Sequence, residues 1–314
     1  MRNTRRRGSQ QPVLARDPVT IVRDGDARIA WTWILQQMSG RPASPQSLCL
    51  FDRKDWRIGD APKPLCIDSP CRQIWADLYL ISQFCDLSTI INMVNSGVFL
   101  DVVAYGNPLD ADIKGVIRSS CRFRNAFSEH LAFWTRLATE GQKRMSSTFA
   151  CSLPNFQPED KGPDGLFIGV GGVDCVEIHS VKNSSSNPAP NICSPSFRKK
   201  GIPKRGKLLD DFWRKANENF GLGRLDRLLS QVSSSLGVTA QQNVRLALIA
   251  ECSYNAVVVA DDSFATIDLF DGYQRVAADV RRRIATYIGA VNWKEFAEET
   301  RQVVERKLKV AGVW

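Results

Sequence analysis

Apolar residues recur along this chain at two spacings, and the spacings divide it into elements. Ala30, Trp31, Trp33, Ile34 and Leu35 predict a short helix over 26–38, stopped by Gly40 and Pro42. Ile74, Leu78, Ile81, Phe84 and Cys85 share one side of a longer helix predicted over 71–95, opened by Ser69-Pro70 and ended by Gly97. A second strong helix is predicted over 118–141, where Phe127, Leu131, Trp134 and Leu137 recur at three- and four-residue steps. Further helices are predicted over 208–217, 223–236, 273–288 and 293–308. Between them, Val244–Glu251 and Ala256–Ala260 read as buried strands, with Phe264–Leu269 as a candidate third. Val98–Tyr105 fits a strand or a short buried segment equally well, and 41–70, with five prolines, reads as an extended, loop-rich passage.

The alternating pattern is clearest over 164–182. A Pro163-Asp164-Gly165 turn leads into an apolar strand over 166–170, Gly171-Gly172 allows a reversal, and a second strand runs over 173–182. Alternation puts Val176, Ile178, Ser180 and Lys182 on one face, apolar at first and polar at the end. In an antiparallel hairpin the start of one strand lies beside the end of the other, so Asp164 and Lys182 are expected to be neighbours. The elements together predict an α/β fold: a central mixed β-sheet flanked by helices over 110–314, a mostly helical region over 19–109, and a flexible basic tail over 1–18.

Composition narrows the partners. The chain has 314 residues, 43% of them hydrophobic, enough for a sizeable core, and a formal net charge of +9 that suits a polyanion such as DNA or RNA. Nine cysteines form no CxxC pair and only two histidines are present, His130 and His179, which argues against a zinc site and for reduced thiols in a cytoplasmic setting. No apolar run reaches membrane-spanning length, so no membrane partner is expected. Charge gathers in the segment 197–207, where Arg198, Lys199, Lys200, Lys204, Arg205 and Lys207 make a basic, glycine- and proline-containing loop suited to phosphate contacts. A run of three arginines, 281–283, falls within the helix predicted over 273–288.

A carboxylate beside a lysine at a sheet rim is the pairing that metal-assisted phosphodiester hydrolysis uses. The acid holds a hard divalent cation, and the ammonium steadies developing negative charge. On these residues the stretch resembles the PD-(D/E)xK nuclease superfamily, the fold of type II restriction endonucleases, with Asp164 as the first acid and 180–182 as the (D/E)-x-K step. Position 180 is Ser, as in some restriction enzymes that cut CCGG-type sites and recruit a Glu from elsewhere in the fold. The resemblance implies a restriction-endonuclease-like sheet and Mg²⁺, with Mn²⁺ able to substitute. It implies metal binding by Asp164 with Glu129 or Glu177, catalysis by Asp164, Lys182, Ser180 and Glu129, double-stranded DNA as substrate, and a homodimer. Phe127-Ser128-Glu129-His130-Leu131 resembles the helix that precedes the catalytic sheet in that superfamily and often carries the metal-binding Glu. Arg224-Leu225-Asp226-Arg227 resembles its guanine-reading Arg-x-Asp-Arg element, although it stands 42 residues past Lys182, and Arg224 and Arg227 are carried as candidate DNA contacts. Glu251, at a strand end, is a further candidate ligand. Two functions follow: a Mg²⁺-dependent endonuclease of restriction or defence type, or a non-catalytic nucleic-acid-binding or assembly protein built on a degenerate nuclease core.

Overall fold

The computed structural model describes residues 18–38, 47–51, 71–105, 109–141, 150–151, 153–154, 164–168, 176–186, 188, 252–264, 282–290 and 292–314. Strand β1 (Pro18–Val22) leads into helix α1 (Asp24–Met38), whose Ala27, Ala30, Trp31 and Ile34 form the buried stripe that its i, i+3, i+4, i+7 spacing requires. Asp101 fastens the start of α1, its carboxylate accepting from the N–H of Asp24 at 2.8 Å. Strand β2 (Ser47–Phe51) follows, then α2 (Cys71–Phe84), α3 (Leu87–Ser96) and β3 (Val102–Tyr105), which pairs antiparallel with β1. Helices α4 (Ala111–Arg118) and α5 (Ser120–Gly141) precede the hairpin strands β4 (Ala150–Cys151), β5 (Gly165–Ile168) and β6 (Val176–Asn183). Strands β7 (Cys252–Asp261) and β8 (Arg282–Ala290) and helix α6 (Trp293–Val310) complete the described elements.

The long helix expected over 71–95 is two helices. Asp86 takes an extended conformation and its carboxylate accepts from the N–H of Thr89 at 2.8 Å, which caps a new helix and ends the old one. Gly97 then closes α3 in the left-handed conformation, φ 69°, that glycine adopts without strain.

The main sheet has six strands in the order β2-β8-β7-β6-β5-β4. Its centre, β6-β7-β8, is parallel, and antiparallel strands flank it on both sides. Two expectations change here. Residues 282–290 form a strand where a helix over 273–288 is predicted: the alternating β-branched and aromatic residues of Arg-Arg-Ile-Ala-Thr-Tyr-Ile pair with β7 on one side and β2 on the other, and this pairing prevails over the three- and four-residue apolar spacing. Ser47–Phe51, inside the passage read as loop-rich, joins the main sheet through β8.

Alternation on β6 identifies the face that the helices cover. Val181 belongs to the core and Asn183 bonds to α5, so the odd-numbered positions of this strand end meet the helical layer. That layer is held by aromatic side chains: Phe127 of α5 stacks on Trp293 of α6 with centroids 5.7 Å apart, and Trp75 and Tyr79 of α2 meet Phe127 edge-on. The parallel strand β7 is buried without alternation, Ala256 through Ala260 all being closed to solvent, as a central strand covered on both faces must be. Arg301 ties α6 to α4, donating to the carbonyl of Ile117 while it pairs with Glu298 and Glu305.

Candidate functional site

The β5–β6 register sets the site. Gly165 lies opposite His179, Leu166 opposite Ile178 and Phe167 opposite Glu177. Asp164 is the residue just before β5, and its carboxylate accepts from the backbone N–H of Val181 at 2.6 Å. The side chain thereby takes up the ladder position that β5 vacates where it ends, and it sits at the peptide between Ser180 and Lys182. The hairpin expected to bring Asp164 to Lys182 brings its carboxylate to Val181, the residue before Lys182.

Ser180 and Lys182 stand on the face of β6 opposite to Val181 and Asn183. Ser180 is 5% exposed, and its hydroxyl has no hydrogen-bond partner. Lys182 is half-buried. Glu177 lies three residues before Ser180 in β6, paired with Phe167 of β5.

Helix α5 brings the second carboxylate. Asn183 donates through its amide to Asn125 Oδ1 at 2.9 Å and to Ser128 Oγ at 3.3 Å. Further along the helix, two turns past Ser128, the guanidinium of Arg136 lies over the ring of Phe167, 5.4 Å from its centre, and Phe133 stacks against the same ring. Glu129 follows Asn125 by one turn and precedes Phe133 by one turn, so it stands on this sheet-facing side, 9% exposed. It is a buried carboxylate, which the amphipathic pattern of the sequence did not disclose. Together with burial, which is the larger cause, it pushes the Tyr79 hydroxyl well above the ordinary phenol range. Asp164 thus meets β6 at Val181, and Glu129 belongs to the helix that covers the odd-numbered face of the strand, opposite to Ser180 and Lys182.

His130 is excluded from that site. It is 1% exposed, points into the helical layer, and binds Ser82 Oγ through Nδ1 at 2.6 Å and Gln83 Nε2 through Nε2 at 3.0 Å, with Tyr79 against its ring. Burial pushes its pKa down to about 3.

At the C-terminal ends of the parallel strands a cleft of about 480 Å³ opens between Ser184, Ser185 and Ser186, Asp261 and Phe264, and the first turns of α6 from Asn292 to Glu298. Open parallel sheets place ligand crevices at this edge. Glu298 on the cleft wall is held down at about 2, chiefly by the hydrogen bond from Arg301.

The oxygen donors shown beside 180–182 are the Asp164 carboxylate and the Ser180 hydroxyl, which suit a hard cation and offer nothing to a soft one, whereas Glu129 lies on the helix that covers the other face of β6. Among the described residues no group of three or more His, Cys, Asp or Glu forms a metal-holding cluster. Two carboxylates with waters and a phosphate are enough for Mg²⁺. Arg198, Lys199, Lys200, Lys204, Arg205, Lys207, Arg224, Arg227 and Glu251 lie outside the described residues, whereas Arg282 and Arg283 open strand β8 instead of lying on a helix. Sequence reasoning missed Asn125, Ser128 and Asn183; the available signal was an amide at a strand end and another one turn before Glu129.

No described helix is long and apolar enough to cross a membrane. Comparison with protein-family models, with curated proteins and with solved structures finds no match to this chain.

Proposed function

We propose that the chain is a Mg²⁺-dependent endonuclease that hydrolyses phosphodiester bonds of double-stranded DNA, in the manner of the PD-(D/E)xK enzymes it resembles. The observation that carries the reading is the hydrogen bond from Val181 N–H to the Asp164 carboxylate, which fastens an acid beside the Ser180–Lys182 step. Glu129, the carboxylate that the resemblance offers in place of an acid at 180, is buried on α5 at the odd-numbered face of β6, opposite to Ser180 and Lys182.

In this reading Asp164 and Glu129 hold the cation, which supplies a water of lowered pKa and a Lewis acid for the phosphate oxygens. Lys182 stabilises the charge that gathers on those oxygens as the P–O bond breaks. Its half-buried setting strengthens that interaction relative to open water. Ser180 donates its hydroxyl, unpartnered in the free protein, to the water or to a phosphate oxygen. The cleft beside Ser184–Ser186 gives the strand flanking the cut a place to lie. The net charge of +9 favours a polyanionic substrate, and two cuts in one duplex favour a homodimer.

One observation favours a second reading. With Ser180 in place of an acid, and no three-ligand cluster among the described residues, the same core serves equally as a non-catalytic nucleic-acid-binding scaffold. Plasmid cleavage in Mg²⁺, with Mn²⁺ calorimetry alongside, decides between them. Cutting and Mn²⁺ binding that both vanish in Asp164→Asn establish the nuclease. DNA binding that persists without any metal binding establishes the scaffold.

A further inference from the structure

We propose that Asn183, together with Asn125 and Ser128 of α5, is a positioning clamp that fixes the strand bearing Ser180 and Lys182 against the helix bearing Glu129. This inference rests on the nuclease reading of that site.

The hydrogen bonds leave little freedom in the clamp. Ser128 donates its hydroxyl proton to the carbonyl of Asn125 at 2.7 Å, so its oxygen is an acceptor toward Asn183. Asn183 directs one amide proton to Ser128 Oγ and the other to Asn125 Oδ1. Both donors of the Asn183 amide are thus spent on one turn of α5, the turn that continues directly into Glu129. On its other side the strand end is pinned to β7, since the N–H of Ser184 donates to the carbonyl of Val259 at 3.1 Å. Lys182 immediately precedes these two attachments.

The position of the clamp explains why a polar contact joins α5 to the end of β6. The two carboxylates come from elements far apart in sequence, and their separation depends on how α5 sits against the end of β6. An apolar contact tolerates sliding, whereas two directional bonds to one amide fix both height and rotation. Displacements of about 1 Å at reacting groups cost on the order of a hundredfold in rate, so a clamp of this kind belongs to turnover rather than to substrate affinity.

The test compares wild type, Asn183→Ala, Asn125→Ala, the double variant and Asn125→Asp in plasmid cleavage with Mg²⁺, in Mn²⁺ calorimetry and in thermal melts. Asn183→Ala and Asn125→Ala are each expected to lower kcat by about tenfold or more at a temperature well below their melting point, with KM for DNA within about twofold of wild type and Mn²⁺ binding weakened. The double variant is expected to be no slower than the worse single one, because the two residues share one bond. Asn125→Asp keeps an acceptor oxygen for the Asn183 amide and is expected to recover most of the loss. A lowered melting temperature with unchanged kcat and Mn²⁺ affinity would reduce the contact to packing and overturn the clamp, leaving the nuclease reading intact; failure of Asn125→Asp to recover does the same. A wild-type protein that neither cuts DNA nor binds Mn²⁺ removes the nuclease reading and the clamp together.

Discussion

The Asp164 carboxylate accepts the N–H of Val181 at 2.6 Å, and so one side chain both caps the β6 ladder and stands beside the residue that precedes Lys182. The two roles separate by mutation. Asp164→Asn keeps an acceptor for the Val181 N–H and removes the charge; it is expected to melt within a few degrees of wild type while losing at least about a hundredfold in Mg²⁺-dependent cutting. Asp164→Ala also leaves the N–H without its acceptor, which costs about 1–3 kcal/mol where water cannot replace it. Cleavage by Asp164→Asn at the wild-type rate would confine the residue to the capping role.

Ser180 gives the reverse signature. Its hydroxyl is buried without a partner, so Ser180→Ala removes an unsatisfied group and is expected to change stability by less than about 1 kcal/mol, or to raise it. Ser180→Asp restores the acid of the resembled motif at a position only 5% exposed. Lys182, next on the same face, offsets part of the burial cost, and the remainder is expected to destabilise the metal-free protein by about 2 kcal/mol. Mn²⁺ binding recovers that loss by mass action. Melts of Ser180→Asp in chelator and in Mn²⁺ check this, and equal melting temperatures in the two would mean that no cation sits beside residue 180.

The hairpin was legible because local rules agree there: turn residues mark its ends, and alternation places 180 and 182 together, so the meeting of Asp164 with the end of β6 follows from strand geometry. Other features depended on partners that periodicity does not see. The apolar spacing of Ile81, Phe84, Leu87, Ile90 and Ile91 runs straight across residue 86, and only the cap at Thr89 reveals two helices. Strand β8 carries apolar residues that fit a helix nearly as well; its neighbours β2 and β7 decide the matter. Glu129 and His130 read as flanks of one buried stripe, yet α5 packs on two sides, against the sheet through Asn125, Ser128 and Phe133 and against α2 and α6 through Phe127 and His130. A helix between two layers buries polar residues that an amphipathic pattern assigns to solvent.

The His130 site predicts an acid-sensitive fold. Ser82 directs its single proton to the carbonyls of Leu78 and Tyr79, which makes Nδ1 of His130 the donor to Ser82 Oγ and leaves Nε2 to accept from Gln83. A second proton on Nε2 would face the Gln83 amide and have no acceptor there. With the folded pKa near 3 and the ordinary value at 6.5, the unfolded chain takes up a proton below pH 6.5 that the folded one refuses. Stability from this group is therefore complete above pH 6.5 and falls as pH drops from 6.5 toward 3, by at most about 1.4 kcal/mol per pH unit. Asp86, Glu298 and Glu305, whose pKa values are lowered in the fold, add losses of the same sign at lower pH, and Asp77, whose pKa is raised, acts with the opposite sign. It is therefore the difference between wild type and a His130 variant from pH 6 to 5 that isolates His130. Urea denaturation of wild type and His130→Gln across that interval is expected to show a slope in the first and a flatter line in the second. Equal slopes would place the proton uptake elsewhere.

The final prediction concerns the contact between α2 and α6. Asp77 is 3% exposed and accepts from Lys307, with Gln73 donating to its other oxygen at 3.3 Å. Burial raises the Asp77 pKa above the usual carboxylate value, and the Lys307 ammonium works against that rise. Lys307→Met removes the compensating charge and is expected to cost about 3–5 kcal/mol at pH 7, because a buried carboxylate is left with an amide donor alone. The folded pKa of Asp77 then climbs further, so its carboxyl binds a proton in the folded state at a pH where the unfolded chain does not. The penalty must therefore shrink as pH is lowered toward 5. Replacing both partners, Asp77→Leu with Lys307→Met, removes the charge and its partner together and is expected to return stability to within about 1 kcal/mol of wild type, or above it. Urea titrations of the single and double variants at pH 5 and pH 7 measure all three effects. A Lys307→Met protein as stable as wild type at pH 7 would show that the Asp77 carboxylate is solvated in solution and that α6 docks through its aromatic face alone.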